Sequence, residues 1–345
     1  MRRLVFVTQR IDPADPNLAA TVPMVAALAR SVDEVTVLAL AAEPAALPPN
    51  VRVRTFGAPT RLGRGLRFAS ALAAELWRRP DALVAHMSPI YALLAAPLAR
   101  PLGTKVVLWF THWRGSRLLR LAERASSAVV SVDARSFPIR SAKVRAIGHG
   151  IDLREFPCTE RPSGPPVRLL ALGRYSPAKG LDVVVRGVAA AAGRGLDVTL
   201  LAHGPCVTDE ERRHRRELEA LVAELGQGGR VTLGGPVPRA EVPALLAGAT
   251  ALVNNMRAGA PDKVVYEAAA ACVPVLASNP VFDGLVAGLE PPLLFTRERP
   301  DELAARIEAL PGADLAAIGR ALRERVEARH SVETWAAGVL EAAGL

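Results

Sequence analysis

Residues 167–202 read VRLLALGRYSPAKGLDVVVRGVAAAAGRGLDVTLLA, and this stretch decides the fold class of the chain. The apolar run at residues 167–172 predicts a buried strand, and residues 181–194 have the apolar periodicity of a helix. A second apolar run at residues 197–202 predicts the next strand. A strand, a helix and a strand in succession are typical of a parallel pair with the connecting helix on one face of the sheet.

The same alternation runs through all 345 residues. Strands are predicted at 4–8, 34–39, 51–55, 82–85, 105–110, 128–132 and 143–147, and then at 167–172, 197–202, 230–233, 251–254 and 275–277. Helices are predicted at 18–31, 65–79, 90–100, 114–126, 181–194, 209–225, 239–247, 262–272, 300–309 and 314–329. Two such series predict two doubly wound, Rossmann-like α/β domains. We expect them at residues 1–157 and 158–330, joined by a proline-rich linker at 158–166. A helix at 331–345 is expected to pack back on the first domain.

The composition restricts the class of protein. Half of the residues are hydrophobic and 22% are charged, which excludes a disordered or collagen-like chain. No apolar run has the roughly 18–20 uncharged residues of a membrane-spanning helix, and no signal peptide is expected after Met1. The three cysteines are an odd number without metal-binding spacing, so we expect free thiols in a reducing cytoplasm.

The turn after the first strand of the second domain, residues 173–180, carries two cations. Gly173 and Gly180 allow a sharp turn at the strand end, where ligands of parallel sheets bind. Arg174 offers a planar fork for phosphate oxygens, and Lys179 offers a compact point charge. The alternative is a surface turn with two solvated charges.

A second motif, residues 259–275, leads from a strand end into a helix. The helix start near Pro261–Lys263 suits an anion, because backbone N–H groups and the helix dipole both point there. Glu267 follows about one turn later, where its carboxylate could accept hydrogen bonds from two hydroxyls of a ribose. The alternative for Glu267 is an i, i+4 pair with Lys263 on a solvated face.

These two motifs, in this order and roughly 90 residues apart, resemble the donor-binding half of retaining GT-B glycosyltransferases of the GT4 type. The segments His149–Phe156 and Arg230–Val237 also resemble that family, so the resemblance covers essentially residues 140–345. It implies a GT-B fold, with two facing Rossmann-like domains and a C-terminal helix. It also implies transfer of a sugar, with retention of configuration, from a nucleotide-diphosphate-sugar to an acceptor hydroxyl. The setting implied is bacterial polysaccharide, glycolipid or cell-envelope glycan synthesis in the cytoplasm.

The resemblance assigns roles to individual residues. Arg174 and Lys179 would bind the diphosphate and neutralise its charge as the sugar leaves, and Glu267 would bind the ribose. Backbone N–H groups at Val264 would contact the phosphates, and the turn at residues 234–237 would lie near the base. The donor-binding residues that it implies are Gly173, Gly235, Asp262, Lys263, Val264 and Glu267.

Three residues of the first domain are further candidates. His112 ends a predicted strand, and in the family a histidine at this place contacts the donor sugar near the reacting carbon. His86, which ends the preceding strand, and Asp12, which follows the first strand, are candidates on the acceptor side. The alternative for His112 is a core or capping histidine, and His86 could merely line the site.

The chain departs from the family pattern at two places. Gly259 stands where the family has a second glutamate that contacts the donor sugar, and Asp262 is the residue that could compensate. The glycine-rich loop usual after the first strand is replaced by residues 9–16, which contain two Asp-Pro pairs. No Asp-x-Asp pair occurs in the sequence. We therefore expect no metal at the diphosphate. No other cofactor is expected either.

The positive charge is concentrated in the first half. The net charge is +9, but residues 1–156 hold 22 basic and 11 acidic side chains. Residues 61–79 have helical spacing, with Leu62, Leu66, Ala69, Ala73 and Leu76 on one stripe and Arg64, Arg67, Ala71, Glu75 and Arg78 on another. A basic amphipathic helix predicts an anionic lipid surface or a phosphate-linked lipid acceptor as partner. The alternative is a core-packed helix with a solvated arginine face.

Three other functions are open on the residues alone. A sequence pI of about 10.2 suits a nucleic-acid-binding protein, but aromatic residues are only 4% of the chain, so no nucleic-acid partner is expected. A nucleotide-sugar epimerase of the same fold would use Arg174 and Lys179 in the same way. Gly259 would also fit a donor-binding protein without activity.

Overall fold

A computed structural model describes residues 1–15, 18–162 and 164–345. Pro16, from the second Asp-Pro pair, and Ser163, from the predicted linker, lie outside the described residues. The chain forms two compact units, of which the first comprises Met1–Asp152 and Arg329–Leu345 and the second Leu153–Ala328. The units therefore change over after residues 152 and 328, whereas the domain boundaries predicted from the sequence lie after residues 157 and 330.

In the described residues, twelve parallel strands form two sheets, and they confirm the predicted doubly wound α/β class. The strands are β1 (Arg3–Ile11), β2 (Glu34–Ala42), β3 (Val51–Thr55), β4 (Ala82–His86), β5 (Lys105–Trp109), β6 (Ala128–Ser131), β7 (Val144–Ala146), β8 (Val167–Leu172), β9 (Val198–His203), β10 (Val231–Gly234), β11 (Ala251–Asn254) and β12 (Val275–Ala277). Most of them are short runs of Val, Leu and Ala, because helices cover both faces of each sheet.

Twelve α-helices connect and follow these strands in the described residues. They are α1 (Thr21–Ala29), α2 (Arg61–Trp77), α3 (Pro89–Ala99), α4 (Arg117–Ala125), α5 (Leu181–Gly193), α6 (Asp209–Glu224), α7 (Val242–Gly248), α8 (Lys263–Ala270), α9 (Asp283–Val286), α10 (Pro300–Ala309), α11 (Leu315–His330) and α12 (Val332–Ala343). Among the described residues, none of them combines the length and the apolarity needed to cross a bilayer.

The first unit is built on seven strands in the order β3-β2-β1-β4-β5-β6-β7. Leu4 of β1 pairs with Val35 on one side and Ala82 on the other, so β1 is an inner strand of the sheet. Helices α2, α3 and α4 share one apolar core with the strands, which contains Phe56, Phe68, Leu83 and Leu108 among others. Helices α1 and α12 pack against each other, and α12 also contacts β5 and β6.

The glycines of residues 148–150 are required by close packing within the first unit. A Cβ at Gly148 would overlap the carbonyl oxygen of Arg329, and one at Gly150 would lie 2.6 Å from Met24 Cε. Both glycines have a positive φ, 81° and 78°, which also favours glycine. The next residue, Ile151, donates its N–H to His330 at 2.7 Å and accepts from Val332 at 3.0 Å. This segment therefore ties the C-terminal helix α12 into the unit.

Helix α2 turns inward a face that belongs to neither predicted stripe alone. Its buried residues are Phe68, Ala71, Leu72, Glu75 and Leu76, so the stripe that contains Leu62, Leu66, Ala69 and Ala73 faces solvent. Phe68 lies edge-on to Phe56 and against Tyr91. Glu75 is buried because Arg54 and Arg78 contact its carboxylate at 3.0 and 3.1 Å. Of the predicted apolar stripe, Leu76 alone is buried, and a lipid surface as the partner of the exposed residues stays a prediction.

The second unit is built on five strands in the order β10-β9-β8-β11-β12. The chain runs outward from β8 to one edge and then returns to β11 on the other side of β8. Strand order therefore reverses between β8 and β11, and in doubly wound sheets ligands bind outside the strand ends at such a switch point.

A disulfide joins Cys158 to Cys272 within the second unit, with their Cα atoms 5.0 Å apart. The expectation of three free thiols is therefore wrong, and Cys206 is the free cysteine. The odd number of cysteines gave no sign of a bond that spans 114 residues. The expectation of a cytoplasmic location rested partly on free thiols, so that part of the argument no longer holds.

Candidate functional site

A pocket lies at the switch point of the second sheet. Its lining comes from the ends of β8, β9 and β11 and from the turn after β8, and comprises Ala171, Leu172, Gly173, Tyr175, Lys179, Leu181, Ala202, His203, Val253, Asn254 and Asn255. Asn255 is buried, and its amide donates to the carbonyl oxygen of Gly180 at 2.8 Å. Its Oδ1 has no hydrogen-bond partner in the described part of the chain.

Lys179 lies across the turn after β8, close to the strand end. Ser176 caps the short 3₁₀ turn Pro177–Lys179, and Gly180 follows with a φ of 54°. The ammonium group donates to the carbonyl oxygen of Leu172 at 3.2 Å. A Cβ at Gly173, whose φ is 128°, would overlap this ammonium group. The glycine predicted from the sequence is therefore what lets Lys179 reach the pocket.

The partner of Lys179 is the carboxylate of Asp262, which it contacts directly. Asp262 is the N-cap residue of α8, yet its side chain makes no capping bond to that helix. Instead its Oδ2 accepts a second hydrogen bond, 2.8 Å long, from Asn254 at the end of β11. The start of α8 is thus held beside the pocket by a partly buried ion pair.

Arg174 is positioned by a different carboxylate. Its guanidinium lies 3.1 Å from Glu211, and the arginine side chain is 51% exposed while that of the glutamate is 4% exposed. Glu211 also accepts from the N–H groups of Val207 and Thr208, and so completes a capping box at the start of α6. The two predicted diphosphate-binding cations are therefore each paired with a carboxylate of their own.

Glu267 is buried in α8 and faces two cations. Lys263 lies 3.2 Å and Arg239 2.5 Å from the same oxygen, Oε1. Burial by itself would raise the pKa of Glu267, but Lys263 and Arg239 outweigh it and lower that pKa below its usual value. The i, i+4 pair with Lys263 forms as the alternative reading proposed, but on a buried face and with Arg239 as a third member.

Arg239 was not identified from the sequence. Its guanidinium contacts Glu155 at 2.7 Å, contacts Glu267 and lies 5.0 Å from the ring centre of Phe156. Burial alone would lower the pKa of Arg239, but the two carboxylates raise it. It follows a proline-containing turn and has no glycine or phosphate-type motif beside it, so only the tertiary structure brings it to Glu267.

The predicted base-binding turn at Gly235 is joined to the end of β9. His203 Nδ1 lies 3.0 Å from the carbonyl oxygen of Gly235, which also accepts from the N–H of Gly204 at 3.1 Å. The buried Tyr175 hydroxyl donates to the carbonyl oxygen of Gly234 at 2.8 Å and lies 3.1 Å from the carbonyl oxygen of Ala202. Burial raises the pKa of Tyr175 to about 12, so the hydroxyl stays a donor at neutral pH.

The loop that contains Gly259 has a backbone suited to glycine. Its φ of 80° lies in the left-handed region, where a glutamate would be strained. Asn279, which is buried, holds this loop by donating to the carbonyl oxygens of Arg257 and Ala260 at 3.0 and 2.8 Å. Asp262, the predicted substitute for the missing glutamate, is engaged by Lys179.

Val264, in the first turn of α8, is buried, so its side chain is part of the core. The role predicted for it uses the backbone N–H, which at the start of a helix is not needed within the helix. In the second unit the structure thus brings together the start of α8, Lys179, Asp262 and the pocket.

The first-unit candidates have separate surroundings. His112 is exposed, accepts at Nδ1 from the N–H of Arg114 at 2.9 Å, and stacks on Trp113. Partial burial of the ring and the charge of Arg114 lower the pKa of His112. Asp12 contacts Arg10 at 3.2 Å and accepts from the N–H of Ala14 at 2.9 Å. Asp12 therefore stabilises a turn.

His86 is a buried, neutral histidine. Its Nδ1 lies 3.2 Å from Thr8 Oγ1, and its ring stacks on Phe6 with ring centres 5.5 Å apart. Burial lowers the pKa of His86 to about 3, and the charge of His149 is a second, smaller cause. Its role on an acceptor side stays a prediction, as do the roles of His112 and Asp12.

Comparisons with known proteins place these residues in context. Residues 166–311 match the family model described as Glycosyl transferases group 1. This match includes Gly173, Arg174, Lys179, Gly235 and the whole of α8. It covers less than half of the chain. A comparison with curated proteins finds no match.

Solved structures match the chain over nearly its whole length. Anabaena Alr3699/HepE, in complex with UDP, is 18% identical with a TM-score of 0.77, and the alignment covers 100% of both chains. Sucrose-phosphate synthase from Thermosynechococcus elongatus is 17% identical with a TM-score of 0.75, covering 99% of this chain and 98% of that one. A glycosyltransferase from Rickettsia africae is 14% identical with a TM-score of 0.75, covering 99% and 97%. Residues 166–311 thus match the glycosyl transferases group 1 family, and the two parallel-sheet units have the GT-B fold of these solved structures.

Proposed function

We propose that this chain is a retaining, metal-independent glycosyltransferase of the GT4 type that uses a nucleotide-diphosphate-sugar. The observation that carries the proposal is the arrangement at the switch point of the second sheet. There Lys179, Asp262 and the start of α8 lie beside one pocket. The family match over residues 166–311 supports the same function.

The charges at this place suit a diphosphate. Lys179 supplies an ammonium group at the pocket, and the first turn of α8 supplies backbone N–H groups and the positive end of the helix dipole. Arg174 adds a half-exposed guanidinium on the same turn as Lys179. A diphosphate would share Lys179 with Asp262, because the ammonium group has three donor hydrogens.

Glu267 suits the ribose of the nucleotide. Its lowered pKa keeps the carboxylate ionised at neutral pH, so it acts only as a hydrogen-bond acceptor. Arg239 and Lys263 both contact Oε1 of this carboxylate and thereby hold it in place. A carboxylate oriented in this way would accept hydrogen bonds from two neighbouring hydroxyls of the ribose.

The proposed reaction is a group transfer. The bond between the anomeric carbon of the sugar and the diphosphate breaks, and a bond from the acceptor oxygen to that carbon forms on the same face. The acceptor proton passes to the departing diphosphate. Cations at the diphosphate would stabilise the charge that develops there. We further propose that the product belongs to polysaccharide, glycolipid or cell-envelope glycan synthesis in a bacterium.

Titration calorimetry with UDP, GDP and ADP, each in EDTA, tests the nucleotide site. UDP is tried first because the solved structure of Alr3699/HepE contains it. One nucleotide should bind without metal, and K263M should weaken that binding about tenfold while K105M on β5 leaves it unchanged. Mass analysis of products from the matching nucleotide-sugar then separates transfer from isomerisation. Failure of all three nucleotides and their sugars to bind would overturn the proposal.

A further inference from the structure

The exposed apolar side chains of the described residues are concentrated on one side of the first unit. The described residues expose twelve large hydrophobic side chains in all. Nine of these lie on α2, α3, α4 and the turn after α3. The nine are Leu62, Leu66, Trp77, Ile90, Leu94, Leu98, Leu102, Leu118 and Leu121. Scattered apolar residues are normal on a surface, but a cluster of this kind marks an interaction site.

The outward side of α2 is an apolar stripe. Leu62, Leu66 and Trp77 are 75%, 64% and 90% exposed. Ala69 and Ala73 are exposed between them at the three- and four-residue spacing of one helix face. From residue 62 to residue 77 this stripe extends for about 22 Å along the helix.

Helices α3 and α4 continue the apolar surface. Ile90, Leu94 and Leu98 follow each other at four-residue spacing on α3, and Leu118 and Leu121 lie on α4. The inner sides of α2, α3 and α4 share one core against the same face of the sheet. Their outer sides therefore form one layer, which we call the docking face and define as the exposed side chains of these three helices.

Arginines accompany the apolar residues. The exposed ones on or beside the three helices are Arg61, Arg67, Arg79, Arg100, Arg117, Arg120 and Arg124. None of the seven has an ion pair with an acidic side chain among the contacts of the described residues. The one carboxylate of α2, Glu75, is buried between Arg54 and Arg78. The docking face is thus apolar and strongly positive.

We propose that the docking face binds the surface of an anionic bilayer, with the leucines and Trp77 at the boundary of headgroups and acyl chains. Apolar residues alone would suit a protein partner, and arginines alone would suit a nucleic acid. Their mixture on helices that lie side by side fits a surface that is negative outside and apolar just below. A tryptophan at one end of the stripe fits the same interface, because its ring is apolar and its N–H polar. This inference is independent of the nucleotide site.

Flotation of the full chain with lipid vesicles tests this directly. Vesicles of phosphatidylcholine with phosphatidylglycerol should bind the protein at low salt, and pure phosphatidylcholine should bind it at least tenfold less. Raising the salt should weaken binding, because charge attraction to the surface is screened. The emission of Trp77 should shift to shorter wavelength on binding. The emission of the other tryptophans should not change, so W77F should remove the shift.

Two pairs of variants assign the binding to the docking face. R117S/R120S should lower the partition coefficient by about tenfold or more. R213S/R216S, which removes two exposed arginines of α6 in the second unit, is the charge-matched control and should bind as wild type. L62S/L66S should lower binding at least tenfold, whereas V207S, at an exposed apolar residue of the second unit, should not. Nucleotide affinity should be unchanged in every variant.

Three results would overturn the proposal. The first is wild-type protein that stays unbound to anionic vesicles at low salt, and the second is equal loss in the docking-face and control variants. The third concerns other occupants. A dimer that L62S/L66S converts to a monomer would make the face a self-association surface. Retention of RNA or DNA that is lost in R117S/R120S but kept in L62S/L66S would make it a nucleic-acid surface.

Discussion

The ammonium group of Lys179 contacts the carboxylate of Asp262, 83 residues later in the chain, and Asn254 donates to the same carboxylate oxygen. The turn after β8 and the start of α8 are thereby joined at the mouth of one pocket. An anion that enters the pocket meets a lysine that is already positioned, with little side-chain entropy left to lose.

The first prediction tests this lysine. K179M keeps the length of the side chain and removes its charge, so the affinity for a nucleoside diphosphate should fall at least tenfold, since a charge-assisted hydrogen bond contributes about 1.5–3 kcal/mol. The affinity for the nucleoside without phosphates should stay the same. Titration calorimetry with UDP and uridine compares the two. K105M, a lysine of the first unit, is the matched control, and equal losses for UDP and uridine would contradict the assignment to the diphosphate.

The second prediction concerns the buried carboxylate of Glu267. Lys263 and Arg239 hold its folded-state pKa below the unfolded value, so its ionised form stabilises the fold above that value. That contribution is lost as the pH falls through the lowered pKa. E267Q should therefore cost about 3 kcal/mol at pH 7, because it leaves two partly buried cations without the carboxylate that they share.

Urea unfolding of wild type and E267Q at pH 7 and near pH 4 measures this. The stability difference between them should shrink toward the lower pH. E217Q, at a glutamate of α6 that is 63% exposed, should behave as wild type at both values. A difference between wild type and E267Q that is constant across the pH range would rule out the ionised carboxylate as its source.

The strands of both sheets could be predicted from the sequence. Val275–Ala277 and Ala251–Asn254 have the predicted bounds, because parallel strands covered on both faces are continuous apolar runs between turns. The pocket-forming turn at residues 173–180 was predicted from its glycines and cations. Both features depend on residues that are close together in the sequence, so they could be predicted without knowledge of the tertiary structure.

Contacts between distant segments of the chain could not be predicted from the sequence. Either stripe of α2 could have faced inward, and the choice depended on Phe56 and Arg54, which come from elsewhere in the unit. Arg239 reaches Glu267 from a turn 28 residues away. Cys158 and Cys272 meet only because the sheet brings the end of α8 to the start of the second unit.

The third prediction concerns His86. The pKa of His86 is about 3 in the folded state, against 6.5 for an ordinary histidine, so between these values the unfolded chain binds a proton that the folded chain does not. Stability should therefore fall as the pH drops below about 6.5. At pH 5 the cost is about 2 kcal/mol relative to neutral pH, from 1.36 kcal/mol per pKa unit.

H86N should remove that part of the acid sensitivity, whatever its own cost at pH 7.5. Thr8 contacts the ring, so T8V is the matched control that keeps the histidine and should keep the pH dependence. Guanidinium unfolding of the three proteins at pH 7.5 and 5 decides the matter. Parallel profiles for H86N and wild type would show that His86 titrates normally.

The fourth prediction concerns the disulfide between Cys158 and Cys272. A bond that closes a loop of 114 residues restricts the unfolded chain, so C158S should cost about 2–5 kcal/mol of stability. Without reductant, alkylation of the denatured chain should label one thiol, that of Cys206, and after reduction it should label three. C206S is the control, because it removes a cysteine without breaking a bond and should unfold close to wild type. Labelling of all three thiols in unreduced protein would show that the bond is absent, and C158S should then be as stable as C206S.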